Sequence, residues 1–287
     1  MNMRVQGPML HPRYPVLVRR DGGVQVGWDP GQALILRLPG VDTQRVLAFL
    51  RLLDGLCTYP RILWRARELG IEADTVRGVL AEMRTAGLLA GAGAERVGGI
   101  RLLGGVHLHG RGPLSDALLL GLRRMGMRPS HSRGQSPPTA WRPHLVVLAD
   151  TLVPAPDLVE RLVRLRIPHV RVCVRDGRGI IGPLVLPGVT SCLSCADRYR
   201  ADREPEWPHL AAQLLGRVGQ ASAAGIAATA GLALAEVEAV AAGEPDRPPT
   251  VLNATLELNL DSRRLDHRAW PPHPSCHCRK TPVQAEV

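Results

Sequence analysis

Lysine is almost missing from this chain: of its 36 basic residues only Lys280 is not an arginine. Aromatic side chains are nearly as scarce, at 3% with a single phenylalanine, so any core must come mainly from Leu, Val, Ile and Ala. The opening stretch, MNMRVQGPMLHPRYP, lacks the apolar run that a signal peptide needs, and the expected location is the cytoplasm. Residues 218–235 (VGQASAAGIAATAGLALA) carry no charge over 18 residues and call for a membrane check. Alanine and glycine gain little in hydrocarbon, and the stretch is only marginally long enough to span a bilayer. It reads instead as a tightly packed helix whose small residues admit close neighbours, and no membrane partner is expected. Cysteines in such a compartment stay reduced, which favours metal ligation over disulfides.

What is present supports a real core. A chain of 287 residues, 45% apolar, is long enough for two small domains or one large one. The formal charge of +10 suits acidic partners such as nucleic acid, an anionic membrane or an acidic peptide. An arginine bias is equally compatible with a GC-rich genome.

Residues 1–90 read as one module. A hairpin (PVLVR at 15–19, the turn DGG at 21–23, VQVGW at 24–28) precedes a third strand, ALILRL at 33–38. Asp42 suits an N-cap, followed by a helix with Val46, Leu47, Phe49, Leu50 and Leu53 at helical spacing. Two more helices follow. One carries Ile62, Leu63 and Ala66 inward; the other runs from about 73 to 86, with Val76, Val79, Leu80 and Met83 on one face and Gly87 as its stop. The whole predicts an α+β, winged-helix-like domain.

Residues 91–99 (GAGAERVGG) form a linker by composition, and residues 100–287 a second module. Its pattern alternates: VHLH (106–109), a glycine turn, a helix to about 125, LVVLA (145–149), a helix over 156–165, then HVRVCV (169–174). That alternation predicts an α/β fold with a mainly parallel, Rossmann-like sheet. A Pro- and Ser-rich loop is expected between 129 and 143. After GIIGPLVL (179–186), one long Ala-rich helix is expected from about 209 to 242, then two strands near 250–264.

The chemistry-bearing signal is in the cysteines. Cys192 and Cys195 form a C-x-x-C, Cys276 and Cys278 a C-x-C, together the four thiolates of a closed tetrahedral zinc site. With Zn–S near 2.3 Å, adjacent sulfurs would converge to about 3.7 Å. Such an ion can contribute roughly 10 kcal/mol or more to folding, and a closed shell leaves it structural, not catalytic. The competing readings are a redox C-x-x-C pair, or unrelated buried thiols; His273 and His277 are the other candidate donors. Cys57 and Cys173 read as small buried apolar residues.

With the glycine turn, the strand ending in Asp150, the segments RIPHVRVCV and GIIGPLVL, and the paired cysteines, the second module resembles the ThiF-like family of ubiquitin-activating-type adenylyltransferases. The first resembles a RiPP recognition element, the winged-helix domain that grips leader peptides. Their fusion resembles the leader-binding partner proteins of azole-forming YcaO-type cyclodehydratases.

This resemblance implies a nucleotide site, and the residues present fit it poorly. The G-x-G-x-x-G turn reads Gly110-Arg-Gly112-Pro-Leu-Ser115, two glycines with serine in the third place. No acidic residue for a ribose occurs in 125–134, the family's Asp-Asn pair reads Asp150-Thr151, and a phosphate-contacting lysine is missing. Arg111 or Arg133 are the available substitutes. Gly110, Gly112 and Asp150 therefore mark a degenerate site, ATP and Mg²⁺ are not expected, and the chain reads as a partner without adenylating activity.

Winged helices also read DNA, but the third helix mixes Arg77 and Arg84 with Glu72, Asp74 and Glu82, so nucleic acid is not the expected partner. A leader peptide would instead add as a strand to the third strand, in the groove against the third helix. The candidate contacts are Leu34, Ile35, Leu36, Arg37 and Leu38 with Val76, Arg77, Val79, Leu80 and Arg84. The expected function is capture of a ribosomal precursor peptide for a YcaO-type cyclodehydratase, with a homodimer formed through the Ala-rich helix. A working adenylyltransferase and a DNA-binding or other protein-interaction regulator are the alternatives.

Overall fold

The computed structural model describes residues 7–90, 105–133, 143–243 and 248–279. The expected linker at 91–99 and most of the Pro- and Ser-rich loop lie outside them. The chain divides into two units, Met1–Glu95 and Arg96–Val287.

The first unit begins with a two-residue strand β1 (Met9–Leu10), then β2 (Val16–Val18), β3 (Val24–Val26) and β4 (Leu34–Leu36), an antiparallel sheet in that order. Helices α1 (Thr43–Arg51), α2 (Tyr59–Glu68) and α3 (Ala73–Thr85) follow. Asp42 does cap α1, its carboxylate accepting from Arg45 N–H at 2.9 Å, and Gly87 leaves α3 in the left-handed region at φ 68°. Strand β5 (Leu89–Ala90) then pairs with β1. One face of the sheet (Val24, Val26, Leu36) packs with Phe49, Ile62, Val76, Leu80 and Met83 into one aliphatic core.

The second unit runs β6 (Val106–His109), α4 (Pro113–Arg124), β7 (Ser130–Ser132), β8 (Leu145–Ala149), α5 (Pro156–Arg164), β9 (His169–Arg175), β10 (Arg178–Val185), α6 (Leu193–Ala201), α7 (Trp207–Gln213), α8 (Ala223–Ala242), β11 (Ala254–Asn259) and β12 (Leu265–Ala269). A 3-10 turn, His277–Arg279, ends the described chain. The fold is α/β, around a seven-stranded sheet of order β12-β11-β10-β9-β8-β6-β7.

Four expectations need correction. The sheet is parallel only from β7 through β9; β10, β11 and β12 are antiparallel. The cause is local. Between β9 and β10 lie only Asp176 and Gly177, both at positive φ (51° and 69°), a two-residue hairpin turn that cannot return a parallel strand. The single helix over 209–242 is in fact two, α7 and α8. Between them the chain passes so close to β9 that Gly219 has no room for a Cβ against the Val174 carbonyl. The strands expected near 250–264 are β11 and β12, reaching Ala269, and part of the expected loop is strand β7 beside β6.

Alternation splits β9 between two faces. Val170, Val172 and Val174 pack under α4 and α8, where small residues set the spacing: a Cβ at Gly121 of α4 would run into Leu234 of α8. Helix α8 is long and apolar enough to cross a membrane, yet it turns Ile226, Ala230, Ala233 and Val237 into this core. It also buries Glu236, bonded to Thr250 and to Val251 N–H. His169, Arg171, Cys173 and Arg175 occupy the opposite face of β9, which meets α5, α6 and α7.

Candidate functional site

The four paired cysteines come together. Cys192 is the residue before α6, Cys195 lies in its first turn, and Cys276 and Cys278 arrive from the end of the chain. Their sulfurs all lie within 4.8 Å of one another. Cys192–Cys195 is 3.7 Å, Cys192–Cys276 3.6 Å and Cys195–Cys278 3.6 Å. Those separations are far beyond a disulfide and match the edges of a tetrahedron around one ion. A shell of Val146, Leu148, Leu158, Leu162 and Val185 encloses the group.

Close contact shifts the ionisation of Cys192, Cys195 and Cys278. Cys195 is pushed down to about 4, first by the hydrogen bond from the Cys192 thiol. The same bond and burial push Cys192 far up, and burial pushes Cys278 up to about 12. A divalent cation is what would let all four be thiolates together, and the donor set could hold one. The histidines are not part of the set: His273 Nε2 pairs with Asp202 at 2.8 Å and its Nδ1 accepts from Ser275 N–H, while His277 is exposed. Cys57 is half-buried and Cys173 fully buried, both outside the cluster.

The glycine turn sits where expected, between β6 and α4, but its carboxylate does not. Asp150, only 1% exposed, points back at the start of α4. It accepts from Leu114 N–H at 2.9 Å, from Ser115 N–H at 3.0 Å and from the Ser115 hydroxyl. Gly112 has no side chain with which to cap α4, so the end of β8 supplies the cap. The glycines are required by the same contact. A Cβ at Gly112 would sit 2.6 Å from Asp150 Oδ1, and one at Gly110 would collide with the Ala149 carbonyl. Asp150 is thus committed to the helix terminus and is not turned outward to a metal. Serine in the third glycine's place supplies two of the three donors, a role that the motif alone did not signal. Arg111, His131 and Arg133 line a cavity of about 450 Å³ just outside the turn.

In the first unit, β4 is an end strand, paired among the described residues only with β3. Of the residues expected to face a peptide, Leu36, Val76, Val79 and Leu80 are core, sealed by the sheet–helix packing, so they are removed from that set. Ile35, Arg37, Arg77 and Arg84 are exposed and Leu34 and Leu38 are half-buried. Arg37 pairs with Asp21, and Arg77 with Asp74.

Compared with solved structures, the chain matches a heterocyclase in complex with substrate and cofactor (TM-score 0.63, 19% identity, 94% of this chain, 39% of that one). It matches the heterocyclase TruD (TM-score 0.59, 20% identity, 94% and 42%) and E. coli MccB with ATP (TM-score 0.58, 12% identity, 94% and 98%). The likeness is one of fold. The chain spans about two fifths of each heterocyclase and nearly all of MccB. No protein-family model matches the sequence, and no curated protein does.

Proposed function

We propose that this protein is a leader-peptide-binding scaffold that presents a ribosomal precursor peptide to a YcaO-type cyclodehydratase, without adenylating activity of its own. The first unit acts as the winged-helix RiPP recognition element, and the second as a ThiF-like body. The observation that carries the reading is the Asp150 cap. The amides of α4 that would meet phosphate in an active relative are already taken by a carboxylate, whose charge repels phosphate as well. The fold is shared with heterocyclases, which supports the class of partner.

The peptide adds as a strand along the free edge of β4, with Ile35, Arg37 and Leu38 on one side of the groove and Arg77 and Arg84 of α3 on the other. Exposed arginines favour an acidic leader. Zinc at Cys192, Cys195, Cys276 and Cys278 is structural, the site is cytoplasmic, and the outward alanines of α8 (Ala224, Ala227, Ala228) pair two copies.

Labelled precursor peptide from the same gene neighbourhood should bind the full chain with saturable anisotropy, and Arg37→Glu with Arg84→Glu should weaken it by about tenfold or more. Unchanged binding in the double variant would misplace the groove. Elemental analysis should return one zinc per chain, and Cys276→Ser should lose it along with much of the roughly 10 kcal/mol that a structural zinc can contribute to folding.

A working adenylyltransferase is the second reading. It is favoured by the Arg111–His131–Arg133 cavity beside the turn. ATP–pyrophosphate exchange dependent on those arginines would establish it.

A further inference from the structure

On the face of the sheet away from α4 and α8 lies a cavity of about 770 Å³, roofed by α5, α6 and α7 and floored by β9, β10 and β11. It is separate from the glycine turn, and the volume suits a ligand of drug size. Its floor is cationic. Arg171 and Arg175 line it from β9, and Arg200 reaches in from α6, close enough for its guanidinium to be repelled by both. Two tryptophans form its apolar wall, with Arg200 stacked 5.3 Å from the centre of Trp207 and 5.0 Å from that of Trp270.

Among the described residues, two donors in this wall have no hydrogen-bond partner. Arg171 is 8% exposed; it donates to the Leu152 carbonyl, but its Nε–H is buried without a partner. The Trp207 Nε1–H is likewise buried and unpaired. Arg200 is balanced by Asp197 at 2.8 Å, whereas Arg171 has no carboxylate within ion-pair distance among the described residues. A buried cation and a buried N–H without partners are strongly disfavoured, and each is relieved by an acceptor.

We propose that this cavity binds a small organic carboxylate, with Arg171 as its counter-charge, the Trp207 N–H as a further donor, and its apolar body against Trp207 and Trp270. A single negative charge fits best. The lining sets Arg171, Arg175, Arg198 and Arg200 against Glu160, Asp197 and Glu257, an excess of one guanidinium, and the two glutamates would repel a second charge. Arginine offers planar, paired donors suited to a carboxylate. The site does not depend on the peptide groove of the first unit.

The test is calorimetric titration of the full chain with benzoate, indole-3-acetate and hexanoate, with phenyl phosphate and benzyl alcohol as comparators. At least one carboxylate should bind one to one, and tighter than benzyl alcohol by about tenfold or more, the loss expected when a charged partner is removed. Arg171→Gln should abolish that preference. Trp207→Phe, which keeps the ring and loses only the N–H, should weaken binding several-fold while zinc content and melting temperature stay near those of the parent. Should Arg171→Gln fail to fold, Trp207→Phe decides alone. Absence of saturable heat with all three carboxylates, or affinity unchanged in Trp207→Phe, overturns the site. Tighter binding of phenyl phosphate overturns its assignment to a carboxylate.

Discussion

Asp150 shows that a carboxylate at a strand end can serve as a helix cap. In an adenylating enzyme a carboxylate at this strand end would face a metal ion; here it is buried and saturated by the first turn of α4. It also occupies a left-handed backbone conformation, φ 71°, which aspartate tolerates better than most residues. Asp150→Ala should therefore cost about 2–4 kcal/mol, combining two orphaned buried amides with the less favourable conformation. Urea denaturation of the variant checks this. A loss below about 0.5 kcal/mol would mean the cap is worth no more than an ordinary surface contact.

At the scale of elements, the packing of α4 on α8 shows why the second unit is rich in glycine and alanine. Gly121 leaves the space that Leu234 fills, and Gly179 of β10 does the same for Thr229. Small residues here bring helices and sheet close enough for an aliphatic interior to close without aromatic bulk. Gly121→Ala should destabilise by about 1–3 kcal/mol through overpacking, despite the higher helix propensity of alanine. Adding Leu234→Ala should recover part of that loss, so the double variant is more stable than the sum of the single ones predicts. Strict additivity in thermal or denaturant melts would show that the two side chains do not compete for one space.

For the whole molecule, the clearest solution property is its response to acid. His107 and His169 are buried, and both are pushed down to about 4, burial being the main cause. Between about pH 6.5 and pH 4 the unfolded chain holds protons at these positions that the folded chain does not. Stability is therefore complete above the unfolded value and falls as the pH drops through this window, by at most about 1.4 kcal/mol per pH unit for each histidine. Unfolding midpoints measured from pH 7.5 to 4.5 should fall, and His169→Asn should flatten the slope. A midpoint independent of pH over that range would contradict the burial of both rings.

Much of this was legible in the chain before folding, wherever the deciding interaction is local. The C-x-x-C and C-x-C spacings hold each pair of sulfurs close on its own loop, and Asp42 caps α1 from the adjoining turn. Asp176-Gly177 belongs to the same class: the dipeptide is a hairpin signal in its own right, and it sets β10 antiparallel where alternation alone suggested a parallel return. The arginines of β9 alternate with valines, a pattern that marks two different faces but not what covers them. Tertiary structure alone decided the remainder. The capping of α4 by Asp150, the break between α7 and α8 where Gly219 meets β9, and the burial of Leu36, Val76 and Leu80 all depend on residues distant along the chain. Periodicity records which side of an element is apolar; which neighbour occupies that side, and which buried donor is left without one, is set only when the layers close.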